Sequence, residues 1–256
     1  MMLEVNDVHK RFGGTEVLKG ASLEIRSGEA VALIGPSGEG KSVFLKHLAG
    51  LMRPDSGRVL VDGHDLAHTH GRRLEKLRSR FGFVFQGGAL FQSMTVYDNV
   101  AFPLREKTRL SAREIRERVM QELENVGLHE SEDKFPAQIS GGMVKRAALA
   151  RALVQSPEIV LFDEPTTGLD PRIARSIGRL IHSCHKRLGL TAVIVSHDIP
   201  YVFRIVDRIA LLDDGRFVFA GTPEELDACD DPRVRAFVDV EAEDEAVPSG
   251  ARGRDG

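Results

Sequence analysis

The sequence predicts an α/β fold with a largely parallel sheet. An apolar run, a glycine loop and a helical pattern follow one another in residues 30–48, and a second apolar run, 159–162, ends in two adjacent carboxylates. Further short apolar runs alternate with helical patterns, as expected when helices cover the faces of a parallel sheet. With 42% apolar residues among 256, the chain can bury a full core.

The glycine loop has the spacing GxxxxGKS of a P-loop. Its glycines let consecutive backbone N–H groups turn inward, and the following helix points its positive end at the same spot. Lys41 can then reach the β- and γ-phosphates, and the Ser42 hydroxyl can ligate Mg²⁺. The flanking strand and helix disfavour an ordinary glycine-rich turn. We therefore predict binding of a nucleoside triphosphate by Gly35, Pro36, Ser37, Gly38, Glu39, Gly40, Lys41, Ser42 and Val43.

Composition and charge limit the function classes. The net charge of −3 argues against a general nucleic-acid binder, and Cys184 and Cys229 have no metal or disulfide spacing. No apolar run approaches the length of a membrane span, and the N-terminus lacks the pattern of a signal peptide. We therefore expect a cytoplasmic protein that takes part in any membrane process through a partner.

Two polar or aromatic side chains follow predicted strands and have alternative interpretations. Phe12, after the alternating strand 3–8, either covers a sheet edge or stacks on a nucleotide base. Gln86, after the strand 81–85, either caps the sheet or reaches into a site at its edge. The sequence leaves both alternatives open.

Residues from about 87 to 155 are mainly helical in pattern, which predicts a helical insertion into the nucleotide-binding core. Ser111 and Glu114 form a capping box before one amphipathic helix. Ser140 precedes another helix as its predicted N-cap. Its hydroxyl, with the amides of Gly141 and Gly142, also forms a potential anion site at a helix start.

The second apolar strand ends in Asp163 and Glu164. An acid in the position of Asp163 lies beside the Mg²⁺ of a P-loop. Glu164 is suited to accept a proton from the attacking water. Two acids could instead cap a turn, but the P-loop favours the catalytic interpretation.

The C-terminal third continues the α/β pattern. Asp170 is the predicted N-cap of a helix whose buried face we assign to Ile173, Ile177, Leu180, Ile181, Cys184 and Leu188. The strand 192–195 then leads to His197, which is either structural or a γ-phosphate contact; we favour the contact. A hairpin follows over 209–219. We place one domain at 1–240 and predict a disordered tail at 241–256.

The ordered set of motifs resembles the ATP-binding-cassette (ABC) ATPases along nearly the whole chain. The markers are Phe12, the P-loop, Gln86, Ser140–Gly142, Asp163–Glu164, Asp170 and His197. The resemblance implies a P-loop core with a mixed sheet, an antiparallel β subdomain and a helical subdomain that carries the signature Ser140–Gly142.

The resemblance also implies how the site residues act. Two copies would face head to tail, with each ATP between the P-loop of one copy and Ser140–Gly142 of the other. Gln86 would contact Mg²⁺ and transmit to a transmembrane permease, Asp170 would link the two sites, and His197 would hold the γ-phosphate. The implied ligands are ATP and Mg²⁺, and the implied location is the cytoplasmic face of the inner membrane.

One departure narrows the subfamily: the usual signature LSGGQ here ends in Met143. This SGGM, the basic residues after it, Gln86–Phe91 and Val96–Val100 resemble the ATPases of Mla/Mce phospholipid transport. That likeness implies an MCE-domain lipid-binding protein and a small STAS-type regulatory subunit as partners. The alternatives are the ATPase of a small-solute importer, such as one for polar amino acids, an ABC protein acting on DNA or ribosomes, and a binding-only regulator. The chain has no long heptad run or second P-loop, which proteins acting on DNA or ribosomes typically carry, and its intact Lys41, Glu164 and His197 disfavour a binding-only regulator.

Overall fold

The computed structural model describes residues 2–196 and 204–238, and it confirms the α/β fold. The strands are β1 (Met2–Phe12), β2 (Thr15–Arg26), β3 (Ala30–Ile34), β4 (Ser56–Val61), β5 (His64–Asp65), β6 (Phe81–Val84), β7 (Ile159–Asp163), β8 (Thr191–Val195), β9 (Arg208–Asp213) and β10 (Arg216–Gly221). The helices are α1 (Lys41–Leu48), α2 (Gly71–Arg78), α3 (Val96–Lys107), α4 (Ala112–Asn125), α5 (Gly141–Leu153), α6 (Pro171–Leu188) and α7 (Pro223–Asp227). Residues 232–238 are also helical. The predicted contact residue His197 and the predicted disordered tail, 241–256, lie outside the described residues.

The strands form two sheets. A six-stranded sheet has the order β10-β9-β3-β8-β7-β6 and is parallel except for the β9–β10 hairpin, which confirms the hairpin predicted over 209–219. A four-stranded antiparallel sheet has the order β2-β1-β4-β5. β3, β7 and β8 lie in the interior of the larger sheet, and every residue of these strands is buried.

Alternate residues of these central strands enter two different cores. On β7, Ile159 and Leu161 join an apolar cluster with α1 and the antiparallel sheet. Val160 and Phe162 join a second cluster formed with α3–α6. This is the period of two that a strand imposes, and it explains why the strand sequences are continuous apolar runs. The larger sheet is thus covered on both faces.

The first helix is anchored where the glycine loop ends. Phe44 and Leu48 of α1 are fully buried. The ring of Phe44 meets that of Phe217 on β10 edge-on, with centroids 4.8 Å apart. Such an aromatic pair stabilises the fold beyond the effect of burying its surface area. The contact fixes the start of α1 against the edge of the larger sheet.

Three predicted helix starts are confirmed. Ser111 and Glu114 form the capping box of α4, Ser140 accepts from the Met143 amide at the start of α5, and Asp170 accepts from two amides at the start of α6. The predicted buried face of α6 is partly wrong. Ile173 and Leu188 are exposed because they lie in its first and last turns, beyond the cluster in which Ile177, Ile181 and Cys184 are buried. Among residues 2–196 and 204–238, every helix is too short or too polar to span a bilayer.

The loop before α3 is held by one buried amide that the sequence analysis did not identify. The side chain of Asn99 is fully buried. Its Oδ1 accepts from the Phe91 amide at 2.8 Å. Its Nδ2 donates to the carbonyls of Phe91, Met94 and Thr95 at 2.9–3.2 Å. Asn99 therefore satisfies backbone groups of a loop that has little regular structure of its own.

We predict that Asn99→Leu lowers the free energy of unfolding by roughly 2 kcal/mol or more, because it leaves several buried backbone groups without partners. Urea unfolding followed by circular dichroism measures the change. Asn6→Leu, at an exposed position of β1, is the control and should change stability by less than about 0.5 kcal/mol. Equal effects of the two substitutions would contradict this role of Asn99.

Candidate functional site

The carboxyl ends of four parallel strands bring the predicted site segments to one edge of the larger sheet. Gly35 follows β3, Gln86 lies two residues after β6, and Glu164 and Ser196 follow β7 and β8. The Glu164 amide donates to the carbonyl of Val195 at 3.0 Å, and the Ser196 amide to that of Leu33 at 3.3 Å. Ligands of α/β proteins bind at this edge of the sheet.

At two positions of the P-loop another segment of the chain passes so close that only glycine fits. Gly35 has φ +139°, and a Cβ there would lie 2.0 Å from the carbonyl oxygen of Leu212. Gly40, at the N-terminus of α1, has φ +97°, and a Cβ there would lie 2.8 Å from Val17 of β2. Gly38 has φ +89°, but a Cβ there would meet nothing within 4 Å. The loop is therefore tightly seated at both ends and open at its centre, as a cradle for phosphate requires.

Lys41 lies inside this loop. Only 8% of the residue is exposed. Its Nζ donates to the carbonyls of Gly35 and Pro36, at 2.6 and 2.7 Å. Backbone carbonyls carry no net charge, so these bonds do not neutralise the ammonium. A positive charge at the N-terminus of α1, beside an open glycine loop, suits an anionic phosphate chain.

Ser42 and Asp163 meet although 121 residues separate them. The Ser42 hydroxyl donates to Asp163 Oδ1 at 2.7 Å, and the aspartate is 8% exposed. Two oxygen ligands in adjacent positions around an octahedral Mg²⁺ lie about 3 Å apart, because each is about 2.1 Å from the metal. The hydroxyl and carboxylate oxygens therefore fit two neighbouring positions of such an ion.

Glu164 is held in an uncommon backbone conformation at the end of β7. Its φ is +53°, a region that costs energy for a residue other than glycine. Its Oε2 accepts from the Thr167 hydroxyl at 2.6 Å, and its side chain is only half-buried. The chain thus leaves β7 through a strained turn at Glu164. An observed outlier of this kind is frequent at active sites.

Gln86 and Phe12 both have exposed side chains. Gln86 has its backbone carbonyl bound by Lys145 Nζ while its side chain is accessible. Phe12 ends β1 and is 44% exposed. It belongs to the same β1–β2 hairpin whose Val17 contacts Gly40 of the P-loop. Phe12 is therefore accessible at one end of the hairpin that packs against the P-loop.

The signature segment Ser140–Gly142 opens α5 near the start of α6. A Cβ on Gly141 would lie 3.4 Å from Leu169, and one on Gly142 would lie 2.7 Å from Ile173. Asp170, the cap of α6, lies between these two contacts in sequence. Within the described ranges, no hydrogen bond of the signature segment reaches the P-loop. Ser140, Gly141 and Ile173 are exposed.

Three residues near the site were not assigned a role by sequence reasoning. Lys145 is buried beside Gln86 and Glu164, Thr167 contacts the Glu164 carboxylate, and Arg151 binds the carbonyls of Gly88 and Ala89. The basic residues after Met143 were a visible signal for Lys145. Met143 itself packs against the apolar cluster of α3–α6.

Comparison with known proteins identifies the family. Residues 18–167 match the family described as ABC transporter. This match covers more than half of the chain and contains the P-loop, Gln86, Ser140–Gly142 and Asp163–Glu164.

Curated relatives match most of the chain. The intermembrane phospholipid transport system ATP-binding protein MlaF of Escherichia coli K12 is 41% identical over 93% of this chain and 88% of its own length. MlaF of Haemophilus influenzae is 39% identical over 94% of this chain and 92% of its own. The probable ribonucleotide transport ATP-binding protein Mkl of Mycobacterium leprae is 45% identical over 92% of this chain, which spans 68% of that protein.

Solved structures share the fold. The ATP-binding cassette MJ0796, in a dimeric post-hydrolysis state bound to ADP and Pi, has a TM-score of 0.79 at 35% identity. The match covers 86% of this chain and 98% of that one. CbiO1 from Clostridium perfringens, part of the ABC transporter complex CbiONQ, also has a TM-score of 0.79, at 34% identity over 95% of this chain and 96% of its own.

The two glycines of the P-loop predict different effects of alanine. Gly38→Ala should fold and lose about 1–2 kcal/mol, the cost of a left-handed residue in open space. Gly35→Ala should lose more than about 4 kcal/mol, because its Cβ meets a backbone oxygen that cannot move independently. Thermal unfolding measures both, and equal losses of stability would contradict the close approach at Gly35.

Proposed function

Since this chain belongs to the ABC transporter family, we propose that it hydrolyses ATP to drive phospholipid transport between membranes. The observation that carries the cargo class is its similarity to MlaF over nearly the whole length of both chains. The resemblance to Mkl, which carries a ribonucleotide transport name, covers a smaller part of that protein. A small-solute importer is the alternative cargo class.

The P-loop and the end of β7 supply the nucleotide contacts of this proposal. The amides of Gly35–Val43 and the ammonium of Lys41 hold the phosphates of ATP, and the ring of Phe12 stacks on the base. Ser42, Asp163 and Gln86 would hold Mg²⁺, and the 2.7 Å between the Ser42 hydroxyl and Asp163 Oδ1 supports the first two as neighbouring ligands. The metal supplies charge neutralisation between the β- and γ-phosphates.

Glu164 is the general base in this proposal. It follows the proposed metal ligand Asp163 in sequence, in a turn with φ +53°. Glu164 Oε2 is oriented by the Thr167 hydroxyl, and the carboxylate accepts a proton from the water that attacks the γ-phosphate. His197, two residues after β8 in the sequence, is the proposed γ-phosphate contact. Together these residues supply a base and a polar contact to the transferred group.

A head-to-tail dimer completes each site. The exposed Ser140 and Gly141 at the start of α5 offer a hydroxyl and amides to an anion. These groups have no hydrogen bond to the P-loop of their own chain among the described residues. The P-loop of a second copy brings its ATP to them, and Asp170, at the adjacent cap of α6, connects the two sites. Closure around ATP then moves the two copies together.

An aromatic groove supports a permease partner. Phe83 and Phe85 stack with centroids 4.2 Å apart, and Phe91 and Phe102 lie 5.0 Å apart along the same groove. Phe91 is 44% exposed, and Gln86 follows Phe85 directly. A helix of a permease seated here contacts the segment that senses the nucleotide. We propose accordingly that the chain acts on the cytoplasmic face of the inner membrane, with an MCE-domain lipid-binding protein and a STAS-type subunit as further partners.

We predict that Glu164→Gln lowers the hydrolysis rate at least ~100-fold, because the amide cannot accept the proton. ATP affinity should persist, and sedimentation should show a nucleotide-dependent dimer. Lys41→Ala should instead lose ATP binding, since it removes the cation from the loop. Glu117→Gln, at an exposed position of α4, is the control and should hydrolyse ATP at the original rate. Undiminished hydrolysis by Glu164→Gln would refute the assignment of the base.

Purification from native membranes in mild detergent tests the cargo. We expect a multi-span permease, an MCE-domain protein and phospholipid to copurify with the chain, as judged by mass spectrometry. Phe91→Asp should reduce the yield of the permease, because it places a charge in the aromatic groove. Copurification of a soluble solute-binding protein without enriched lipid would overturn the lipid cargo and leave the ATPase assignment standing.

A further inference from the structure

Lys145 is a buried cation that contacts both Gln86 and Glu164, the proposed metal contact and general base. It lies on α5, five residues after the signature Ser140, and only 7% of it is exposed. Burying a long charged side chain costs free energy unless polar groups compensate it. Burial lowers the pKa of Lys145, while the carboxylate of Glu164 opposes that effect. A residue in this environment requires an explanation beyond packing.

The ammonium of Lys145 joins two segments of the site through their backbones. Its Nζ donates to the carbonyl oxygen of Gln86 and, at 3.4 Å, to that of Glu164. These carbonyls belong to the residues that we propose as metal contact and general base. Because the bonds use main-chain oxygens, they position both residues without occupying the side chains that do the chemistry.

Arg151 extends the attachment of the same loop to α5. Its guanidinium donates to the carbonyls of Gly88 and Ala89, both at 2.7 Å. Three carbonyls of the segment 86–89, those of Gln86, Gly88 and Ala89, are therefore bound to side chains of α5. Lys145 differs from Arg151 because it also reaches Glu164. A shift of α5 is thus transmitted to the loop by both cations and to the end of β7 by Lys145.

We propose that Lys145 is a positioning residue that couples the signature helix to Gln86 and Glu164. The inference rests on the proposed function, in which the N-terminus of α5 contacts the ATP held by a second copy. When that contact draws α5 inward, Lys145 carries the displacement to the metal contact and the base of its own chain. Each ATP thereby influences the catalytic groups of the other site.

Amide hydrogen exchange measured by mass spectrometry tests this coupling independently of hydrolysis. Lys145→Met keeps the length of the side chain and removes the three donors. We expect faster exchange in two segments, 85–89 and 164–167, because the amide of Thr167 donates to the same Glu164 carbonyl and that of Gly88 to Phe85 in the tethered loop. Exchange in the middle of α5 should stay unchanged. A uniform increase along α5 would show a purely structural role and overturn the proposal.

Kinetics of the full chain give the second readout. Lys145→Met should lower kcat by up to ~100-fold, the effect of displacing a catalytic group by about 1 Å. ATP affinity should stay within about twofold, since uniform binding is not altered. Lys145→Arg retains donors and charge and should preserve slow exchange and most of kcat. It also keeps the test valid if the methionine variant folds poorly.

The matched control is Lys186→Met, an exposed lysine of α6 that pairs with Asp207. It should change neither exchange in 85–89 and 164–167 nor kcat. Original exchange rates in both segments of Lys145→Met would overturn the coupling. Failure of the proposed function is recognised separately, because the unsubstituted chain would then not hydrolyse ATP while the exchange result still reports the tether.

Discussion

The hydrogen bond from Ser42 to Asp163 is the constraint on which the site depends. It joins the first turn of α1 to the last residue of β7, two elements that the chain brings together only when the parallel sheet has formed. The apolar residues of β7, Ile159–Phe162, pack on both faces of the sheet and hold that aspartate at its edge. The close approach of Gly35 to Leu212 fixes the loop from the other side. The Ser42 and Asp163 oxygens, which we propose as metal ligands, are therefore positioned by the packing of the whole sheet.

The helical segment around α3–α5 is organised by a different principle. Its helices share one apolar cluster with α6 and with one face of the larger sheet. Its connecting loops depend on polar anchors, of which Asn99 is the clearest example among the described residues. Apolar packing of this kind resists separation, whereas a few hydrogen bonds define the shape of each loop. Apolar packing thus places the helices, and polar anchors such as Asn99 hold the shape of the loop before α3.

The sequence predicted the elements with local signals and failed where a residue acts through distant contacts. The P-loop, the carboxylates after β7 and the caps of α4, α5 and α6 have fixed spacing, and each was found from the chain alone. Ile173 was assigned to the buried face of α6 because helical periodicity does not show where the neighbouring core ends. Lys145 was noticed only as a basic residue, since a lysine on a helix is usually exposed. Its partners, Gln86 and Glu164, lie 59 and 19 residues away.

Three cations near the site donate hydrogen bonds to backbone carbonyls, and this kind of partner affects the local charge. Lys41, Lys145 and Arg151 each donate to backbone carbonyls. A carbonyl dipole compensates part of the cost of burying a cation, but it adds no net negative charge. Carboxylate partners would pair more strongly and cancel the field that attracts phosphate. In these hydrogen bonds, the carbonyl partners therefore let the cations hold loop backbones without adding negative charge.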